Sequence, residues 1–283
     1  MWPAEAEVKV VVADQAGVCF GVKRALDLVN AECERGQPLS TLGPLIHNPQ
    51  VVGDLEARDV RVVRSVEEAD CAIVMPSHGV PRDVLEAAEA AGLRVIDATC
   101  PFVAKVHTRV HDLAAKGYTV VVVGDAGHSE VKAIRSAAGD GAIVISSVDE
   151  VDSHNWRGKK VGVVSQTTQT PERFGEVVGR ISERAAEVVA YNTICYATHD
   201  RQSAARNLAP NVEAMFVVGG RNSANTNRLF EICREGGVPA YHIETASEID
   251  PDSVRGMSVV GLTAGASTPE WIIEEVKRRL ESL

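Results

Sequence analysis

Aromatic side chains make up only 4% of the 283 residues, too few for the stacking platforms that grip single-stranded nucleic acid. Positive charge is short as well: 29 Lys and Arg stand against 39 Asp and Glu, a net charge of −10. That balance excludes a polyanion partner, but not a small anion, which needs only local donors. No apolar run approaches the ~18 residues needed to span a bilayer. No P-loop pattern occurs, and AGVCFGV and GGRNSANTNR lack the spacing of a dinucleotide fingerprint. The opening heptad Met1–Glu7 has neither the basic flank nor the apolar stretch of a leader peptide, so the expected location is the cytoplasm. Disulfides are disfavoured there, and the six cysteines read as core residues, catalysts or metal ligands.

What is present is repetition. Short β-branched runs such as Val8–Ala13, Cys71–Met75, Thr119–Val123 and Met215–Val218 alternate with helical stretches such as Val22–Arg35 and Arg82–Ala91, a pattern that predicts an α/β fold with mostly parallel sheets. Three segments, VKVVVADQAGVCFGV, LRVIDATCPFVAKV and AEVVAYNTICYATH, each place a cysteine between an apolar strand and a helix. Cys19 to His47, Cys100 to His128 and Cys195 to Ser223 are each 28 residues apart. Similar lead-ins (SVEEAD, SVDEVD, TASEID) precede a third polar junction in each repeat. Three related α/β units follow, over residues 1–97, 98–193 and 194–283, expected in a pseudo-threefold arrangement around a central cavity. In open α/β sheets the strand-to-helix turns are where ligands gather, and helix N-termini suit anions.

A lone cysteine in an apolar setting is usually a small core residue, and Cys33, Cys71 and Cys233 are read so. Cys19, Cys100 and Cys195 occupy one repeated position and are read as metal or cluster ligands. Structural zinc prefers four ligands with close C-x₂₋₄-C pairs, and no CxxC occurs here; three soft thiolates suit an iron–sulfur cluster with one open iron. His47, His78 and His128 sit at strand-to-helix turns as candidate phosphate donors. Glu130 is either an ordinary first-turn helix acid or a proton donor with a raised pKa. Thr167 and Thr168 either cap the following helix, relay a proton or fix a substrate hydroxyl. Ser223, Asn225 and Ser267 supply further donors at the remaining turns.

Taken together, GVCFGVKRAL, LGPLIHNP, SHGV, DATCPFVAKVH, GHSEV, SQTT, NTICYAT with Arg201-Gln202, NSANTNR and TAGAS resemble the 4-hydroxy-3-methylbut-2-enyl diphosphate reductase (IspH/LytB) family, in family order from residue 17 to 267. The resemblance implies an oxidoreductase of isoprenoid biosynthesis, at the last step of the non-mevalonate pathway. It would convert (E)-4-hydroxy-3-methylbut-2-enyl diphosphate to isopentenyl and dimethylallyl diphosphates. It implies a [4Fe-4S] cluster on Cys19, Cys100 and Cys195, and a diphosphate held by His47, His78, His128, Ser223, Asn225 and Ser267. Glu130, aided by Thr167 or Thr168, would deliver the proton, and ferredoxin or flavodoxin the electrons. Ala224 stands where the family usually has a second Ser, and Ser129 and Ala133 replace its usual Pro and Gly. Two other classes use the same thiols: a mononuclear metal hydrolase, which needs no reductant, and a non-enzymatic iron–sulfur sensor.

Overall fold

The computed structural model describes residues 8–139 and 141–283; the heptad read above for a leader lies outside them. Twelve strands among these residues form three four-stranded sheets, parallel throughout. The α/β expectation is met.

The chain runs β1 (Lys9–Val12), α1 (Phe20–Cys33), β2 (Leu39–Leu42), α2 (Pro49–Glu56), β3 (Val60–Val63), β4 (Ala72–Met75), α3 (Arg82–Ala90) and β5 (Arg94–Asp97). The second stretch holds α4 (Pro101–Ala115), β6 (Thr119–Val123), α5 (Ser129–Ala138), β7 (Ile143–Ile145), β8 (Lys160–Ser165), α6 (Pro171–Ser182) and β9 (Glu187–Ala190). The third holds α7 (Tyr196–Leu208), β10 (Ala214–Val218), α8 (Ala224–Glu235), β11 (Ala240–Ile243), β12 (Val259–Ala264) and α9 (Glu270–Glu281).

The sheet orders are β3-β2-β4-β5, β7-β6-β8-β9 and β11-β10-β12-β1. Each is one permutation with the strand preceding a cysteine at its edge. β5, before Cys100, closes the first sheet and β9, before Cys195, the second. β1, before Cys19, closes the third, so the opening strand of residues 1–97 pairs with β12. Central strands such as Val120–Val123 and Met215–Val218 are wholly buried, as sheets covered on both faces require. Edge strands β3 (VRVV) and β11 (AYHI) carry polar residues among apolar ones, which is why their short runs do not stand out in sequence.

The lead-ins repeat to within a few degrees. Ser65, Ser147 and Thr245 have φ/ψ of −142/164, −141/160 and −142/162 before short 3₁₀ turns. In each turn a glutamate accepts the backbone N–H four residues back: Glu68 from Arg64, Glu150 from Ser146 and Glu248 from Glu244.

By compactness the chain divides into two units. One comprises Met1–Phe20 (described from Val8), His47–Val51 and Tyr196–Leu283; the other comprises Gly21–Ile46 and Val52–Cys195. The first contains the third sheet, with a core led by Phe216, Leu262, Ile272 and Val276. The second contains the other two sheets. One of its cores holds Trp156, whose indole N–H satisfies itself on the Val151 carbonyl at 2.7 Å.

Candidate functional site

Each cysteine singled out by the repeat is seated in the same way. Its backbone N–H donates to a carbonyl at the end of the neighbouring strand: Cys19 to Ala266 at 3.1 Å, Cys100 to Ser77 at 2.9 Å and Cys195 to Thr167 at 3.1 Å. Those acceptors immediately precede Ser267, His78 and Thr168, the polar residues of the third junctions. Every cysteine thus rests on the junction of the repeat before it, the first on that of the last. None of the three is in a disulfide, and all are partly exposed.

The other cysteines differ. Cys233 is buried, and burial pushes its thiol up to about 12, so it stays protonated and fits its reading as a core residue. Cys71 is exposed and Cys33 only half-buried, so neither is core: each lies at the end of an element rather than in its middle.

In the second unit, His128 caps α5. Its Nδ1 accepts the Glu130 N–H at 3.1 Å, which leaves the neutral ring's proton on Nε2. His78 lies nearby, the two rings 6.3 Å apart and inclined at 71°. Glu130 is 3% exposed. One carboxyl oxygen accepts the Thr167 N–H at 2.6 Å and the other the Thr167 hydroxyl at 2.9 Å. Burial raises its pKa to about 7 against the lowering effect of those two bonds. Of the two sequence alternatives for Glu130, a proton-holding carboxyl therefore fits better than a solvated helix acid. Thr167, not Thr168, bonds Glu130, and helix α6 is capped by Thr170, whose hydroxyl oxygen accepts the Arg173 N–H at 3.3 Å.

In the first unit, donors gather at the start of α8. Ser223 caps that helix, its hydroxyl oxygen accepting the Thr226 N–H at 3.3 Å. Asn225 is 5% exposed, and neither its amide nitrogen nor its oxygen has a hydrogen-bond partner. A buried amide left so costs about 1–3 kcal/mol, which a ligand with both polar groups offsets. Ser267 donates to the His47 carbonyl at 3.1 Å. The same carbonyl lies against Gly220, where a Cβ would stand 2.5 Å from its oxygen. Burial lowers the His47 pKa, keeping the ring neutral. Thr226, with an unpartnered buried hydroxyl, and the Gly219-Gly220 pair belong to this site. The Gly219-Gly220 pair, set aside above for lacking a dinucleotide spacing, was the available signal.

The structure thus places Cys19, His47, Ser223, Asn225 and Ser267 in one unit and His78, Cys100, His128, Glu130, Thr167, Thr168 and Cys195 in the other. Among the described residues no group of three His, Cys, Asp or Glu side chains is gathered as for a metal ion. Ala224 is the first residue of α8 and Ser129 the first of α5. The methyl of Ala133 is buried in the face of α5.

Cysteines on repeated strand-to-helix turns, beside helix N-termini rich in uncharged donors, are the recurring features of this parallel α/β protein. A family model described as "LytB protein" matches residues 10–281, and the chain belongs to that family. It is similar to the "4-hydroxy-3-methylbut-2-enyl diphosphate reductase" of Geobacter sp. (strain M21), 48% identical over 278 residues, 98% of each chain. The Aquifex aeolicus (strain VF5) protein of the same name is 45% identical over 283 residues, 98% of this chain and 97% of its own. A solved structure described as "(E)-4-Hydroxy-3-methyl-but-2-enyl Diphosphate Reductase, the Terminal Enzyme of the Non-Mevalonate Pathway" is 44% identical. It covers 98% of this chain and 100% of its own at a TM-score of 0.69. The "E-1-hydroxy-2-methyl-but-2-enyl-4-diphosphate reductase from Plasmodium falciparum" is 27% identical with a TM-score of 0.89, covering 95% and 86%.

Proposed function

We propose that this chain is a 4-hydroxy-3-methylbut-2-enyl diphosphate reductase. The substrate would take up two electrons and two protons, lose its allylic hydroxyl as water, and leave as isopentenyl or dimethylallyl diphosphate. The observation that carries this beyond family membership is Glu130. A buried carboxyl with a pKa near 7 is half-protonated at neutral pH, the condition for an efficient general acid.

Cys19, Cys100 and Cys195 are assigned as ligands of a [4Fe-4S] cluster, one thiol from each repeat. Three partly exposed cysteines with equivalent backbone seats, none in a disulfide, fit a three-thiolate site. When bound, such a cluster supplies one-electron transfer and an open iron able to hold the substrate oxygen. The remaining work falls to the chain. Thr167 fixes both oxygens of Glu130, so the acid is aimed without searching rotamers. His128, with its proton on Nε2, has one N–H to offer a phosphate oxygen; His47, His78, Ser223, Asn225 and Ser267 complete the assigned diphosphate donors. Asn225 is buried and His47 half-buried, and both are uncharged, which suits them to select an anion by hydrogen bonds rather than net charge. A ferredoxin or flavodoxin is the assigned electron donor. No helix among the described residues is long and apolar enough to cross a membrane.

The test is anaerobic reconstitution with iron and sulfide, followed by turnover of the diphosphate with a strong reductant. A reductant-dependent yield of both isomers supports the proposal. A protein that takes up no acid-labile sulfide, or acts equally without reductant, overturns it.

A further inference from the structure

We propose that Arg24, Arg109 and Arg201 are a cyclic set of positioning residues. Each sits on the helix that follows one cysteine and contacts the segment leading into the next, Arg24 and Arg201 at its backbone and Arg109 at a side chain. The inference rests on the cluster assignment above.

Arg24, on α1 after Cys19, donates from one guanidinium nitrogen to the Thr99 carbonyl at 3.1 Å and from the other to the Asp97 carbonyl at 3.4 Å. Thr99 adjoins Cys100. Arg109, on α4 after Cys100, lies over the Tyr191 ring at 4.7 Å, on the segment that ends at Cys195. Arg201, on α7 after Cys195, is buried and donates to the Gly17 carbonyl at 2.6 Å, two residues before Cys19. The order closes on itself. One arginine holding a carbonyl is ordinary; three on corresponding helices, each gripping the next cysteine's lead-in, follow the repeat itself.

The forked, planar guanidinium suits this task, because it can bridge two carbonyls or stack on a ring while keeping its charge. The backbone N–H groups of each lead-in are held by other bonds. Cys100, for example, has its N–H on Ser77 and the Thr99 N–H on the Asp97 side chain at 2.9 Å, so Arg24 supplies the grip on the carbonyl side. Gly17 adopts a φ of +94°, and a Cβ there would stand 2.9 Å from Ile273. The turn held by Arg201 is therefore set by backbone conformation as well.

Two readouts on Arg24→Met separate this inference from the cluster reading. In the metal-free protein, hydrogen exchange of the Thr99 and Cys100 amides is expected to quicken about tenfold, the equivalent of one charged hydrogen bond. In the reconstituted protein, cluster loss to a chelator is expected to quicken by a similar factor, with iron and sulfide initially bound. Arg201→Lys, which keeps charge in a buried site, is expected to do the same for Cys19. Unchanged exchange and unchanged cluster lifetime in Arg24→Met overturn the inference. A wild-type chain that binds no iron and sulfide overturns the cluster reading instead, while the exchange result still decides whether Arg24 holds its turn.

Discussion

Cys195 donates its backbone N–H to the carbonyl of Thr167, a residue whose own N–H and hydroxyl both go to Glu130. One threonine therefore ties a proposed cluster ligand to the proposed acid. A shift of Thr167 moves both.

Replacing Glu130 with Gln keeps the shape and removes the proton. Turnover is expected to fall by about 10²- to 10⁴-fold, with KM changed much less. In the wild type, kcat should decline as pH rises through about 7 as the acid ionises. Steady-state rates from pH 6 to 9 check both, and a Gln variant near wild-type rate would refute the role.

The same group leaves a mark on stability. Its folded pKa lies above its ordinary value of 4.5, so the native state binds the proton more tightly than the unfolded chain. Stability from this group is fully present below about pH 4.5 and is lost as pH rises to about 7, by roughly 3 kcal/mol. Glu130→Gln should flatten that slope, as chemical denaturation at pH 5.5 and pH 8 would report.

Cys19→Ser, Cys100→Ser and Cys195→Ser are each expected to lower bound iron and acid-labile sulfide severalfold and to abolish turnover. Cys71→Ser, at an exposed position away from any junction, should leave metal content and rate unchanged. Iron and sulfide analysis after reconstitution discriminates the two groups.

Much of this was legible in the residues. The cysteine junctions, the offset of 28 and the lead-ins SVEEAD, SVDEVD and TASEID announced three copies of one unit, and the turns at Ser65, Ser147 and Thr245 keep that identity. What stayed hidden was non-local. Nothing in VKVVV says that β1 pairs with β12 rather than with its neighbours in sequence, because a parallel partner is chosen by the crossover, not by the strand's own pattern. Nor could sequence choose between Thr167 and Thr168, which differ only in which side chain faces Glu130.

Gly220→Ala places a methyl 2.5 Å from the His47 carbonyl oxygen. Overpacking of this kind costs about 1–3 kcal/mol. The proposed diphosphate contacts of His47 and Ser267 would shift with it. A lower Tm together with a raised KM for the diphosphate is the expected result, measured by thermal melts and initial rates. Asn225→Leu, which fills the same space without the amide, should raise KM while sparing Tm.

The pairing of β1 with β12 also sets a timetable. Lys9–Val12 leave the ribosome long before the strand they pair with, Val259–Ala264. The same holds for Cys19 and Ala266, whose carbonyl seats it. Until Ala266 is made the first cysteine has no seat, while those for Cys100 and Cys195 can already form. Completion of the proposed three-thiol set must therefore wait for β12 and Ala266.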